Sequence, residues 1–148
     1  VQHAGVVIGY NGLAGHTFVG NEPDDVGYHA YVIQARDYSA VTAACLMVKA
    51  SLYDEVGGFE EELEVAFNDV DFCLKVREKG YLVVYNPYAV LYHYESKSRG
   101  YEDTPEKRNR FEKEAFFTYN KWEKILADGD PCYNPNLTLS NSDFSLRE

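Results

Sequence analysis

The stretch FNDVDFCLKVREKGY, residues 67–81, most constrains what this chain can fold into. Asn68 is a good N-cap, and Asp71 three residues later suits the reciprocal position of a capping box. Gly80 supplies a left-handed stop, so the pattern predicts a helix from Asn68 through Lys79, with Val70, Cys73 and Leu74 on its apolar face. Upstream, residues 42–48 (TAACLMV) form an unbroken apolar run of strand length, which predicts a buried central strand. A short helical stretch over residues 51–56 follows and stops at Gly57 and Gly58. Downstream, residues 82–85 and 88–94 are β-rich runs parted by Asn86-Pro87, a turn signal. A helix set between β-rich runs makes the fold class α/β, a mixed sheet with flanking helices.

The two ends complete that plan. Residues 4–8 (AGVVI) are a β-branched run closed by Gly9, and from there to Ala35 the chain is rich in Gly, Asn, Asp and His without periodicity. This predicts a strand and then a loop long enough to be a functional lid or disordered. A long C-terminal helix begins with Thr104 as cap and Pro105 in first position, its apolar stripe running through Phe111, Ala115, Tyr119, Trp122 and Leu126. Beyond Gly129 the Pro, Asn and Ser content predicts irregular structure. A length of 148 residues suits one domain, residues 1–148, burying about 70% of its unfolded surface. The chain opens on Val1, directly in a strand, which leads us to expect a piece of a longer protein.

The net charge of -10 argues against a broad nucleic-acid or anionic-membrane interface, which needs clustered Lys and Arg. Eight acidic and no basic side chains fall between Asp54 and Asp71, and a basic stretch follows from Lys97 to Lys113. Cys45, Cys73 and Cys132 form no CxxC pair, and no apolar stretch approaches membrane-spanning length. The expected location is the cytoplasm, including its membrane face.

Three groups of residues could carry chemistry. Asp69 lies in the first turn of the predicted helix, where the dipole favours its ionised form, the state a general base needs. Taken alone, a first-turn carboxylate more often serves stability. His93 shares a strand face with Ala89 and Leu91; a histidine so placed is more often a core residue, but at a strand end its ring can ligate a divalent cation. Ser96-Lys97-Ser98-Arg99-Gly100 offers hydroxyl, ammonium and guanidinium donors to a diphosphate without Walker or Rossmann spacing, and equally reads as a polar loop. A calcium site between Glu60 and Asp71 lacks EF-hand spacing.

Taken together in order, QHAGVVIG at Gln2, TAACLMVKASLYDEVGGFEE at Thr42, FNDVDFCLKVREKGY at Phe67, NPYAVLYHYESKSRG at Asn86 and DPCYNPNLTLSNSDFSL resemble the C-terminal half of bacterial family 2 glycosyltransferases of GT-A fold, the rhamnosyltransferase-like kind. The resemblance implies an inverting transfer from a nucleotide-sugar donor to a glycan acceptor in cell-surface polysaccharide synthesis. It implies Asp69 as catalytic base with Asp71 orienting the site, His93 on a Mg or Mn ion, and Arg99, Lys97 and Ser96 on the diphosphate. Asn68, Thr42, Gly58 and Phe59 would flank sugar and acceptor. The family's nucleotide-binding half, with its Asp-x-Asp metal ligands, has no counterpart in these residues, and the Asp24-Asp25 pair is no substitute. The chain by itself is therefore expected to be inactive and to self-associate through an open edge. A non-catalytic carbohydrate-binding or scaffolding module is the alternative reading.

Overall fold

The computed structural model describes residues 1–94 and 104–147. Strand β1, Val6–Ile8, pairs antiparallel with β2, Ala14–His16, and β3, Arg36–Tyr38, pairs antiparallel with β4, Val83–Tyr85. A bridge from Val6 to Ala40, with the Val6 N–H donating to the Ala40 carbonyl at 2.9 Å, joins the two pairs. The helices are α1, Ala50–Glu55, α2, Asn68–Glu78, α3, Pro105–Lys121, and α4, Glu123–Asp128. No helix among the described residues is long and apolar enough to cross a membrane.

Helix α2 is the centre of the molecule. Val70, Asp71, Phe72, Cys73, Leu74 and Val76 are all buried, so the helix is covered on more than the single face its apolar pattern predicts. Val70, Cys73 and Leu74 pack with Val6, Ile8, Ala40, Val83 and Trp122 in the main core. Phe72 meets Phe59 and Tyr53 on the α1 side, with ring centroids 5.0 and 5.6 Å away. Burial drives the Cys73 thiol up to about 12, so it stays protonated and inert. Arg77 ties α2 to β3, donating at 2.9 Å to Asp37 and at 3.0 Å to the Tyr38 carbonyl.

Several expectations change in the structure. In place of a mixed sheet, the described strands pair only antiparallel and in twos. The run at residues 42–48 is not a central strand: it carries a 3-10 turn at Ala43–Cys45, and Met47 is 99% exposed. Residues 88–94 form no strand either, and Tyr88, Val90, Leu91 and Tyr92 face solvent. An apolar run becomes a central strand only when a neighbouring backbone takes its N–H and C=O groups, and no described strand lies beside either run. The α2 cap also differs, because Phe67, at φ 60°, holds the cap position and Asn68 is the first helical residue. On α3 the buried stripe is Glu114, Thr118 and Trp122, one turn apart, while Phe111 and Tyr119 are partly exposed. The polar members of that stripe are buried because each has a partner, Glu114 taking the Ala66 N–H at 2.6 Å and Thr118 donating to the Glu114 carbonyl at 2.8 Å.

The segment read as a loop up to Ala35 contains β2, which supplies the backbone partner that β1 needs. The tail after Gly129 is irregular yet anchored. Asp130 accepts from Ile8 N–H at 2.7 Å, from Ser39 Oγ at 2.5 Å and from Cys132 N–H at 2.7 Å, which pins the tail across β1. Phe144 then stacks between Phe18 and Tyr28, with centroids 4.8 and 4.9 Å apart. Gly5, at φ 118°, lets the Tyr38 ring lie against the backbone, since a Cβ there would fall 2.4 Å from that ring.

Candidate functional site

The first turn of α2 presents Asp69 beside the exposed 42–45 segment. Its Oδ2 accepts the Ala43 N–H at 3.1 Å and its Oδ1 accepts the Val70 N–H at 2.9 Å. Each carboxylate oxygen has two lone pairs, so these bonds orient the group and leave acceptor capacity for a substrate hydroxyl. The helix dipole acts in the same direction by favouring negative charge at this end.

Residue 42 is held from the other side by His3. The Thr42 N–H points at His3 Nε2 across 3.4 Å, and Thr42 Oγ1 accepts the Ala44 N–H at 3.3 Å. His3 is pushed down to about 3, first by burial and second by the neighbouring His16 ring, whose centroid is 4.9 Å away. A neutral His3 is what this contact needs, because a lone pair on Nε2 must meet the Thr42 N–H. The folded pKa lies below the unfolded value of 6.5, so the stabilising contribution of His3 is complete above pH 6.5 and is lost progressively toward pH 3. We expect the His3 ring in the folded protein to stay neutral at pH 5, read from its carbon shifts by NMR, and the acid limb of the stability curve to flatten in His3→Gln.

His93 enters the same neighbourhood through Gln2. Its Nδ1 lies 2.9 Å from Gln2 Oε1, while the Gln2 carbonyl takes His16 Nδ1 at 3.3 Å. With the amide oxygen as acceptor, His93 Nδ1 is the donor of this bond. Three separate contacts therefore fall on two pairs of chain neighbours: Asp69 on Ala43 and His3 on Thr42, and His93 on Gln2, which precedes His3. Gln2 and His3 were quoted in the sequence pattern without a role, and the only signal for them was their position just before β1.

Asp71 lies elsewhere. Two residues beyond Asp69 on a helix, it points about 200° round the axis. Fully buried, it receives Lys121 Nζ at 2.8 Å and Trp122 Nε1 at 2.9 Å on Oδ1, with Lys75 Nζ 3.3 Å from Oδ2. Lys75 also donates to the Gly58 carbonyl at 2.6 Å, and Lys121 pairs with Glu60 at 2.8 Å. Burial would lower the Lys121 pKa, but Asp71 and Glu60 outweigh it and hold it above the ordinary value. Gly58 and Phe59 belong to this flank, Gly58 held at φ 65° against the Tyr53 ring. The structure thus sets Asp69 against Ala43, Thr42 against His3 and His93 against Gln2, and puts Asp71, Gly58 and Phe59 on the α1 and α3 side. Ser96, Lys97 and Arg99 lie outside the described residues.

An octahedral Mg or Mn ion takes about six ligands. Among the described residues no group of three or more His, Cys, Asp or Glu side chains is placed to hold one, so these residues alone do not fit the ion.

The chain is similar in sequence to several known bacterial proteins. It is 52% identical over 147 residues to the uncharacterized protein y4gI of Sinorhizobium fredii, covering 99% of this chain and 16% of that protein. It is 35% identical over 149 residues to the O-antigen biosynthesis protein RfbC of Myxococcus xanthus, covering 99% of this chain and 11% of that protein. Over 60 residues, 40% of the chain and 20% of the relative, it is 35% identical to an N-acetylglucosaminyl-diphospho-decaprenol L-rhamnosyltransferase of Mycobacterium tuberculosis. The chain spans less than a fifth of the length of the first two relatives. No family model matches it, and no solved structure does.

Proposed function

We propose that this chain is a glycosyltransferase-like part of a protein that builds surface polysaccharide. Within that class we read it as the acceptor and catalytic-base portion of an inverting, family 2-like transferase of GT-A type, acting on a nucleotide-sugar donor and a glycan acceptor. The observation that supports this reading is the Asp69 carboxylate, aimed by two backbone N–H groups at the helix N-terminus. The names of the two characterised relatives support the class.

In the proposed step Asp69 takes the proton from an acceptor hydroxyl as that oxygen attacks the anomeric carbon, and the nucleoside diphosphate leaves from the opposite face. One displacement gives inversion. The fixed N–H donors to Asp69 keep the carboxylate from rotating away, which is the positioning that a base must have before the acceptor arrives. His93 Nε2 remains available as a single ligand or hydrogen-bond acceptor. No step is routed through a metal ion, because the described residues supply no ligand set. The test is transfer itself: the full-length protein that contains this chain, given a panel of nucleotide sugars and a glycan acceptor, should release nucleoside diphosphate and lengthen the glycan. Glycan binding without any product would instead identify a carbohydrate-binding module.

A further inference from the structure

The backbone leaves the 3-10 turn at Ala43–Cys45 extended, with Leu46 at φ -128°, ψ 137° and Lys49 at φ -67°, ψ 133°. Leu46 and Val48 pack against the main core while Met47 between them is 99% exposed, the period-two alternation of a strand. A strand needs a neighbouring backbone, yet neither Met47 nor Val48 has a backbone hydrogen bond among the described residues. Residues 88–92 show the same lack more strongly. Tyr88, Val90, Leu91 and Tyr92 all face solvent, and Val90, Leu91 and Tyr92 also have no backbone partner among the described residues. A continuous apolar run of this length is the composition of a strand covered on both faces.

We propose that residues 46–48 and 88–92 are docking edges, each paired with an extended, apolar segment of the same polypeptide that lies outside residues 1–148. Sheet edges that stay in water are blunted by charged side chains, and no residue in either stretch carries a charge. Contiguous exposed apolar surface marks an interaction site. The covering element must supply backbone N–H and C=O groups as well as apolar side chains, which an added strand does. In the relatives from Sinorhizobium fredii and Myxococcus xanthus the matching stretch is 16% and 11% of the protein, so more than four-fifths of each lies outside it. A segment on the same polypeptide acts at an effective concentration on the order of millimolar, far above that of a separate chain. A second copy would also bring another net charge of -10 against the first. Backbone pairing of this kind does not depend on the sugar-transfer reading.

Hydrogen–deuterium exchange of the full-length protein, read on peptic peptides that cover both stretches, tests the pairing. The amides of Met47, Val48 and residues 90–92 should exchange about 100-fold or more slower than in an unstructured peptide, and diluting the protein about tenfold should leave those rates unchanged. Exchange at the unstructured rate means that the edges are open and overturns the proposal. Protection that fades on dilution assigns the edges to a second copy and overturns the choice of partner. Met47→Glu and Leu91→Glu give a second readout, because both side chains are exposed here and a carboxylate is costly only where water is excluded. Each substitution should lower the melting temperature of the full-length protein. Melting temperatures unchanged in both variants would contradict the covering as well.

Discussion

Asp69→Asn in the full-length protein should lower kcat by about 10²–10⁴-fold while donor affinity changes by less than about twofold. Asparagine keeps the size of the side chain and can still accept one of the two N–H groups now held by the carboxylate, from Ala43 or Val70. What it cannot do is take a proton. The cost in stability is expected to be near 1 kcal/mol, the scale of a first-turn helix charge and one weakened hydrogen bond. Steady-state kinetics with donor and acceptor varied separately, alongside a thermal melt of each protein, make the distinction. Full turnover with a lowered melting temperature would mean that Asp69 only stabilises its helix.

Asp71→Ala should have the opposite signature, a loss of folding stability of about 3–5 kcal/mol. The substitution leaves the Lys121 ammonium and the Trp122 N–H facing a buried carboxylate that is no longer there, and frees Lys75 from its i,i+4 partner. Lys121 and Trp122 join α2 to the end of α3 through this carboxylate, so the helix pair should loosen as a unit. Asp71→Asn, which keeps an acceptor for Trp122, should recover part of the loss. Urea denaturation of the three proteins measures this directly, and an Asp71→Ala variant as stable as the parent would show that the buried ion pair contributes nothing net. The contrast between two carboxylates two residues apart follows from helix geometry: one flank meets solvent and residues 42–43, the other meets α3.

The elements that could be read from the sequence were those whose signals are local. Gly80 ends α2, Thr104 and Pro105 start α3, and Gly129 stops the helical stretch, because caps and stops act over three or four residues, but the single long helix read through Leu126 is broken at Trp122 into α3 and α4. The strands were legible only where a partner exists. Residues 83–85 pair with Arg36–Tyr38, whereas the 42–48 and 88–94 runs find no strand neighbour among the described residues; Leu46 and Val48 still pack against the core, and residues 88–94 stay exposed. Pairing is a nonlocal property, and hydrophobic runs do not carry it. In the candidate site, the pattern singled out Asp69 and His93 but could not show that His3 meets Thr42 or that Gln2 meets His93, since contacts across 39 and 91 residues leave no periodic trace. Nor could it separate Asp71 from Asp69 in role. A buried acid at the end of a capping pattern looks the same in sequence whether its partners are N–H groups of its own helix or Lys121 and Trp122 fifty residues on.

The single displacement proposed for the Asp69 carboxylate is reported most directly by the anomeric configuration of the product. Proton NMR of glycan made by the full-length protein from a nucleotide sugar of known configuration should show the new linkage inverted relative to the donor. A linkage formed with retention would contradict one-step attack on the anomeric carbon and remove the role given to Asp69.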